Sequence, residues 1–121
     1  QRLKEGGFVA LLGDRDLGKG GVPVQFFGSK AKMPAGPAAL AVDTGAALMT
    51  AELFLDDGRN AVRFHPPVEV PQEGERSRRI FATTQLVADR FAAGIAAHPT
   101  DWHMLQRVWV DDLDPEKAPK Q

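Results

Sequence analysis

The 121-residue chain contains no cysteine. Disulfides, zinc–thiolate sites and thiol nucleophiles are therefore excluded. No apolar run approaches the roughly 20 residues that a membrane-spanning helix needs. No signal peptide is visible, and nothing repeats internally. Net charge is nearly absent, at -1. A general nucleic-acid binder carries a strong basic excess, so no nucleic acid is expected as a partner. Local basic patches can still dock on anionic lipid. Hydrophobic residues at 43 % and charged residues at 26 % give ordinary globular composition. The chain begins at Gln1 rather than Met, which reads as a cut edge.

The elements follow from local pattern. Gln1 to Glu5 reads as the end of a helix, stopped at Gly6 or Gly7. Phe8, Val9, Ala10, Leu11 and Leu12 form a continuous apolar run, which suits a strand buried on both faces. A glycine-rich loop follows over residues 13–21. Val22, Val24 and Phe26 then alternate with Pro23, Gln25 and Phe27, as in a strand with Pro23 near its start. Pro37 fits a first helical position and Gly45 a helix stop. Residues 48–55 read as a strand and Asp57-Gly58 as a hairpin turn, and Val62 and Phe64 alternate with Arg63 and His65 on the return strand. Ile80, Val87, Phe91 and Ile95 recur at helical spacing. Pro99 and Asp101 open a second helix, with Trp102, Leu105 and Trp109 as its apolar stripe. The expected fold is α/β, a mixed β-sheet flanked by helices and partial in extent. Residues 1–110 would form the domain, and 111–121 a disordered tail.

The candidate sites cluster after the apolar run. Asp14, Arg15 and Asp16 follow Gly13, and open α/β sheets bind ligands beyond the carboxyl ends of strands. Two carboxylates flanking an arginine there can orient a base, or be a solvated turn. Gly13, Gly18 and Lys19 have P-loop spacing, but Gly20 stands where the metal-binding hydroxyl belongs, and two acids occupy the loop. Gly36-Pro37 at a helix start can offer backbone N–H groups to an anion, with Lys30 and Lys32 just upstream. His65, His98 and His103 lack metal-ligand spacing, and structural or exposed roles suit all three. Arg76, Arg78 and Arg79 form a basic patch whose default is a solvated face.

An ordered series of short motifs then stands out. Gly13-Asp14-Arg15-Asp16-Leu17 is followed by Val24-Gln25-Phe26-Phe27-Gly28, Pro34-Ala35-Gly36-Pro37-Ala38 and Thr44-Gly45-Ala46. Asp101-Trp102 and Gln106-Arg107-Val108-Trp109 come near the end. The series resembles the C-terminal half of the lipid A lauroyl/myristoyl acyltransferase-like family. Within that family it is closest to the phosphatidylinositol mannoside acyltransferases.

The resemblance implies transfer of a fatty acyl group from acyl-CoA or acyl carrier protein, as co-substrate, to a hydroxyl of a membrane glycolipid. No cofactor and no metal are implied, and the location would be peripheral, on the cytoplasmic face of the bacterial plasma membrane. The family's histidine base lies in a His-x4-Asp/Glu motif. Five positions after His65, His98 and His103 stand Val70, His103 and Val108, so the motif is absent from this chain. The resemblance therefore implies a missing N-terminal half and no activity for this polypeptide alone. Asp14, with Asp16 as runner-up, takes the place of the carboxylate that supports that histidine. Arg15, Phe27, Gly28 and Gly36 take substrate-binding places. The alternative reading is a small nucleotide- or coenzyme-binding α/β domain without catalysis.

Overall fold

The computed structural model describes residues 3–13, 21–102 and 109–110. Two antiparallel hairpins and two helices make up its regular structure, joined by a short 3₁₀ turn at Pro99–Asp101. The first hairpin pairs β1 (Val22–Phe26) with β2 (Ser29–Met33). Helix α1 spans Gly36–Thr44. The second hairpin pairs β3 (Ala51–Asp56) with β4 (Arg59–Phe64), and α2 spans Arg76–Ala97. The α/β reading holds, and its strands form two separate two-stranded sheets.

Both hairpins close through two-residue turns with positive φ at each central residue, as a type I′ turn requires. Phe27 has φ 52° and Gly28 76°, while Asp57 has 49° and Gly58 76°. Aspartate tolerates this region because its short side chain bonds locally, whereas phenylalanine there costs roughly 1–2 kcal/mol.

The core lies between the first hairpin and α2. Alternation sends Val24 and Phe26 of β1, and Ala31 and Met33 of β2, to one face, where they meet Ala88 of α2. Trp102 and Trp109 join this core. Trp102 meets the Phe26 ring edge-on at 5.9 Å, and Trp109 approaches it at 5.6 Å. A second cluster joins the helices, with Ala38 and Val42 of α1 against Ile80 of α2. The small side chains of α1 permit that close approach. Pro37 stands in its first turn and Gly45 closes it in the left-handed region, donating its N–H to the Ala41 carbonyl.

Three sequence expectations need correction. Residues 8–12 are not a buried strand: Phe8 is 78 % and Leu12 83 % exposed, and no described residue pairs with their backbone. An apolar run becomes a buried strand only where neighbours supply both edges and both faces. Residues 3–6 form turns rather than a helix end. After Pro99 the described chain makes only the 3₁₀ turn, and residues 103–108 lie outside the described residues. So does the tail at 111–121.

Side chains meet the outward backbone groups of β1 and β3. Gln25 donates its N–H to Gln85 Oε1 at 2.9 Å, and Gln85 Nε2 donates back to the Gln25 carbonyl at 2.9 Å. The amide of α2 thus imitates a neighbouring strand at the β1 edge. Asp101 does the same at β3, accepting the Leu55 N–H at 3.1 Å. Trp109 bridges to Ala31 beside β2. Unpaired edges recruit foreign strands, and these contacts block that route.

Candidate functional site

A cleft of about 110 Å³ opens between residues 9–13, α1, residues 46–50 and α2. Its walls are mainly apolar, with Val9, Leu11, Met33, Leu48, Val87 and Phe91 among them. Helical spacing explains the α2 wall, because Thr84, Val87 and Phe91 fall on one stripe. Thr84 donates its hydroxyl to the Ile80 carbonyl at 2.8 Å and so offers the cleft its methyl. Thr50 differs: its Oγ1 is buried and finds no partner among the described residues.

Gly13 sits at the cleft edge, and a Cβ added there would lie 3.5 Å from the Phe91 ring. The chain continues from it into Asp14, Arg15 and Asp16, which lie outside the described residues. Phe27 and Gly28 form the turn at the far end of the first hairpin, while Met33, at the near end, lines the cleft. The four steps from Ser29 to Met33 separate them by roughly 13 Å. Gly36 begins α1 and is exposed, with open space around it. The structure thus brings Gly13 to the cleft, leaves Gly36 at its rim between the lining residues Pro34 and Pro37, and sets Phe27 and Gly28 at the far end of the hairpin.

The basic patch is largely engaged. Arg76 Nε and Nη2 each donate to the Asp43 carboxylate at 2.7 Å, tying α2 to α1. That hydrogen bond holds the Asp43 carboxyl below its ordinary value of 3.8. Arg79 Nε donates to the Pro71 carbonyl at 2.7 Å.

Sequence reasoning gave His65 a structural or exposed role but missed its neighbour Glu52. Glu52 Oε2 and His65 Nε2 lie 3.6 Å apart, both atoms shut off from solvent. That distance exceeds a hydrogen bond. Glu52 Oε1 faces Arg63 at 3.4 Å. The buried His65 nitrogen points at a carboxylate rather than at the cleft, so the pair packs the hairpin rather than serving a substrate. The signal was available: Glu52 opposes Arg63 across the Asp57-Gly58 turn, and His65 is the next residue on that face. His98 is structural as expected, ending α2 and stacking on Phe54 at 4.2 Å.

The model of the bacterial lipid A biosynthesis acyltransferase family matches residues 1–111. The chain belongs to this family. Over 117 residues it is 43 % identical to a phosphatidylinositol mannoside acyltransferase of Mycolicibacterium smegmatis, covering 97 % of this chain and 37 % of that protein. It is 44 % identical over 113 residues to the Mycobacterium tuberculosis protein of the same name, covering 93 % of this chain and 34 % of that one. This family member thus spans about a third of the length of the curated relatives it matches. Partial coverage fits the apolar surface left open on it. Besides residues 8–12, the outer face of the second hairpin exposes Leu53 at 74 %, Leu55 at 57 %, Val62 at 50 % and Phe64 at 66 %.

Proposed function

We propose that this chain is one part of an acyltransferase that moves a fatty acyl group onto a hydroxyl of a membrane glycolipid such as a phosphatidylinositol mannoside. The donor is the thioester of acyl-CoA or of an acyl carrier protein. The setting is the cytoplasmic face of the plasma membrane, with peripheral contact. The observation that carries this reading is the family match across residues 1–111, together with relatives above 40 % identity that bear one name.

In the reaction a base takes the proton of the acceptor hydroxyl while its oxygen attacks the thioester carbonyl. A C–O bond forms, the C–S bond breaks, and the thiolate leaves with the proton. The histidine that acts as base comes from the remainder of the enzyme. Asp14 holds that imidazole in one tautomer and stabilises it when protonated, with Asp16 as the second choice. Arg15 meets a phosphate of donor or acceptor. The cleft beside Gly13 offers mainly apolar walls to a methylene chain. By itself the chain is inactive, because no His-x4-Asp/Glu motif stands in it.

The test is acyl transfer from radiolabelled acyl-CoA to phosphatidylinositol mannoside. The chain alone should give no product. Adding the non-overlapping two-thirds of the mycobacterial relative should restore it. Product from the chain alone would overturn the inactivity. Failure of every such combination, with both parts folded and bound to each other, would overturn the reading.

A further inference from the structure

We propose that the tip of the β1–β2 hairpin docks on an anionic lipid bilayer. Phe27 enters the headgroup layer and Lys30 and Lys32 meet the lipid phosphates. This adds a docking surface to the proposed function and rests on it only in that the acceptor is a membrane lipid.

The two hairpins of the chain supply the first observation. They use the same turn, with φ 52° and 76° in one and 49° and 76° in the other. The second fills it with Asp57-Gly58, a pair that this turn favours. The first fills the same strained place with Phe27. The ring contacts of Phe27 offset part of that strain, and a strained residue left exposed at a turn is a place to look for function.

The second observation is how Phe27 is held. Its ring lies 4.7 Å from Phe26 and 6.5 Å from both Trp102 and Trp109, yet the residue remains 46 % exposed. The aromatic neighbours fix a ring at the tip without covering it. An exposed apolar ring beside basic side chains suits insertion at the headgroup boundary.

Charge is the third. Lys30 and Lys32 are exposed and share the outward face of β2, opposite Gln25 and Pro23. No acidic side chain stands between Gly21 and Met33. The acidic groups nearest this hairpin lie off its outward face: Asp89 of α2 accepts from Gln85, and Asp101 accepts from the Leu55 N–H of the other hairpin. Two lysines beside an exposed ring match an anionic headgroup layer. The cleft proposed for the acyl chain lies at the other end of the hairpin, so the tip can face the bilayer without closing it.

Trp102 and Trp109 are the two tryptophans of the chain, so their fluorescence reports on this tip. The chain is titrated with vesicles of phosphatidylcholine, with or without phosphatidylglycerol, carrying brominated acyl chains. Quenching is expected with the anionic vesicles and should weaken in high salt. Phe27→Asn gives an Asn-Gly turn, so melting temperature should hold or rise while vesicle affinity falls several-fold. Lys30→Gln and Lys32→Gln should each lower affinity about fivefold. Equal quenching by both vesicle types overturns the proposal. So does Phe27→Asn that folds and binds as before. If Phe27→Asn fails to fold, the two exposed lysines decide, and unchanged affinity in Lys30→Gln/Lys32→Gln overturns it. The assay needs no turnover. An assembled enzyme without acyl transfer but with intact vesicle binding would strike the proposed function alone.

Discussion

Glu52 lies over Gly94, where the second hairpin meets the last turns of α2. A Cβ added at Gly94 would overlap the Glu52 carboxylate. The carboxylate has limited room to withdraw, because Arg63 bonds its other oxygen and the His65 ring stands beside it. Glycine inside a helix ordinarily costs about 1 kcal/mol relative to alanine. Here the close approach outweighs that preference. Gly94→Ala should destabilise the protein by about 1–3 kcal/mol, as overpacking does. In a Glu52→Ala background the sign should reverse, since the overlap is gone and only the helix preference remains. Thermal unfolding of the two single variants and the double variant reads this directly.

The edge contact of Gln85 makes a second prediction. Gln85→Leu removes both bonds to Gln25 and should cost about 1–2 kcal/mol, near the usual net value for two hydrogen bonds. It also bares the β1 edge, so aggregation should quicken. Hydrogen exchange should show the Gln25 amide losing protection while amides inside the β1–β2 pair keep theirs. Retained protection at Gln25 would mean another group covers this edge.

Which parts of this arrangement are legible in the sequence depends on how local their causes are. Helix α2 follows from Ile80, Val87, Phe91 and Ile95, and α1 from Pro37 and Gly45, because caps and periodicity act within a few residues. The second hairpin follows from Asp57-Gly58. Strand β2 gave no signal: Lys30 and Lys32 dilute its apolar face to Ala31 and Met33, and Phe27-Gly28 is not a recognised turn pair. Residues 8–12 misled in the opposite sense, since their apolar run describes a strand whose neighbours are not among the described residues. The Glu52–His65 pair needed the register of β3 against β4 before its members could be placed together. Of the proposed site, Gly13 stands where an active loop should begin, and Asp14, Arg15 and Asp16 lie outside the described residues.

The Asp43–Arg76 pair sets a pH dependence. The Asp43 carboxyl is held below 3.8, chiefly by the Arg76 hydrogen bond. Its folded value is therefore lower than its unfolded one. The stabilisation is fully present above that unfolded value and is lost as pH falls through the lowered folded value. A carbon-detected NMR titration should find Asp43 titrating below 3.8. Arg76→Gln should return it toward its ordinary value and remove this part of the acid sensitivity of the α1–α2 contact. Both side chains are exposed, so the effect should shrink in high salt.

Asp14 bears the catalytic part of the proposal. In the enzyme assembled with the remaining two-thirds, Asp14→Ala should lower kcat by roughly 10²-fold or more, as loss of a histidine-orienting carboxylate does. Asp14→Asn should leave binding of both substrates in place while turnover falls, which separates orientation of the base from loss of fold. An unchanged rate in Asp14→Ala with a large loss in Asp16→Ala would transfer the role to Asp16. Unchanged rates in both would remove this loop from the proton-transfer chain.

The outer face of the second hairpin governs how the chain behaves on its own. Leu53 and Val62 stand opposite each other on it, as do Ala51 and Phe64, with Leu55 beside them. The inner face carries Glu52 and Phe54 against α2 and His98. The hairpin therefore has one face already packed and another that is apolar and open. A face of this kind is normally covered by protein. In the assembled enzyme the remaining two-thirds of the family domain should cover it, together with residues 8–12. Alone, the chain should bind a hydrophobic dye and associate as its concentration rises. Leu53→Lys with Phe64→Lys places two charges on the open face without touching the inner one. That variant should stay monomeric by light scattering and lose most dye binding, yet fail to assemble with the remaining two-thirds. If it assembles as well as the unaltered chain, this face is not where the two parts meet.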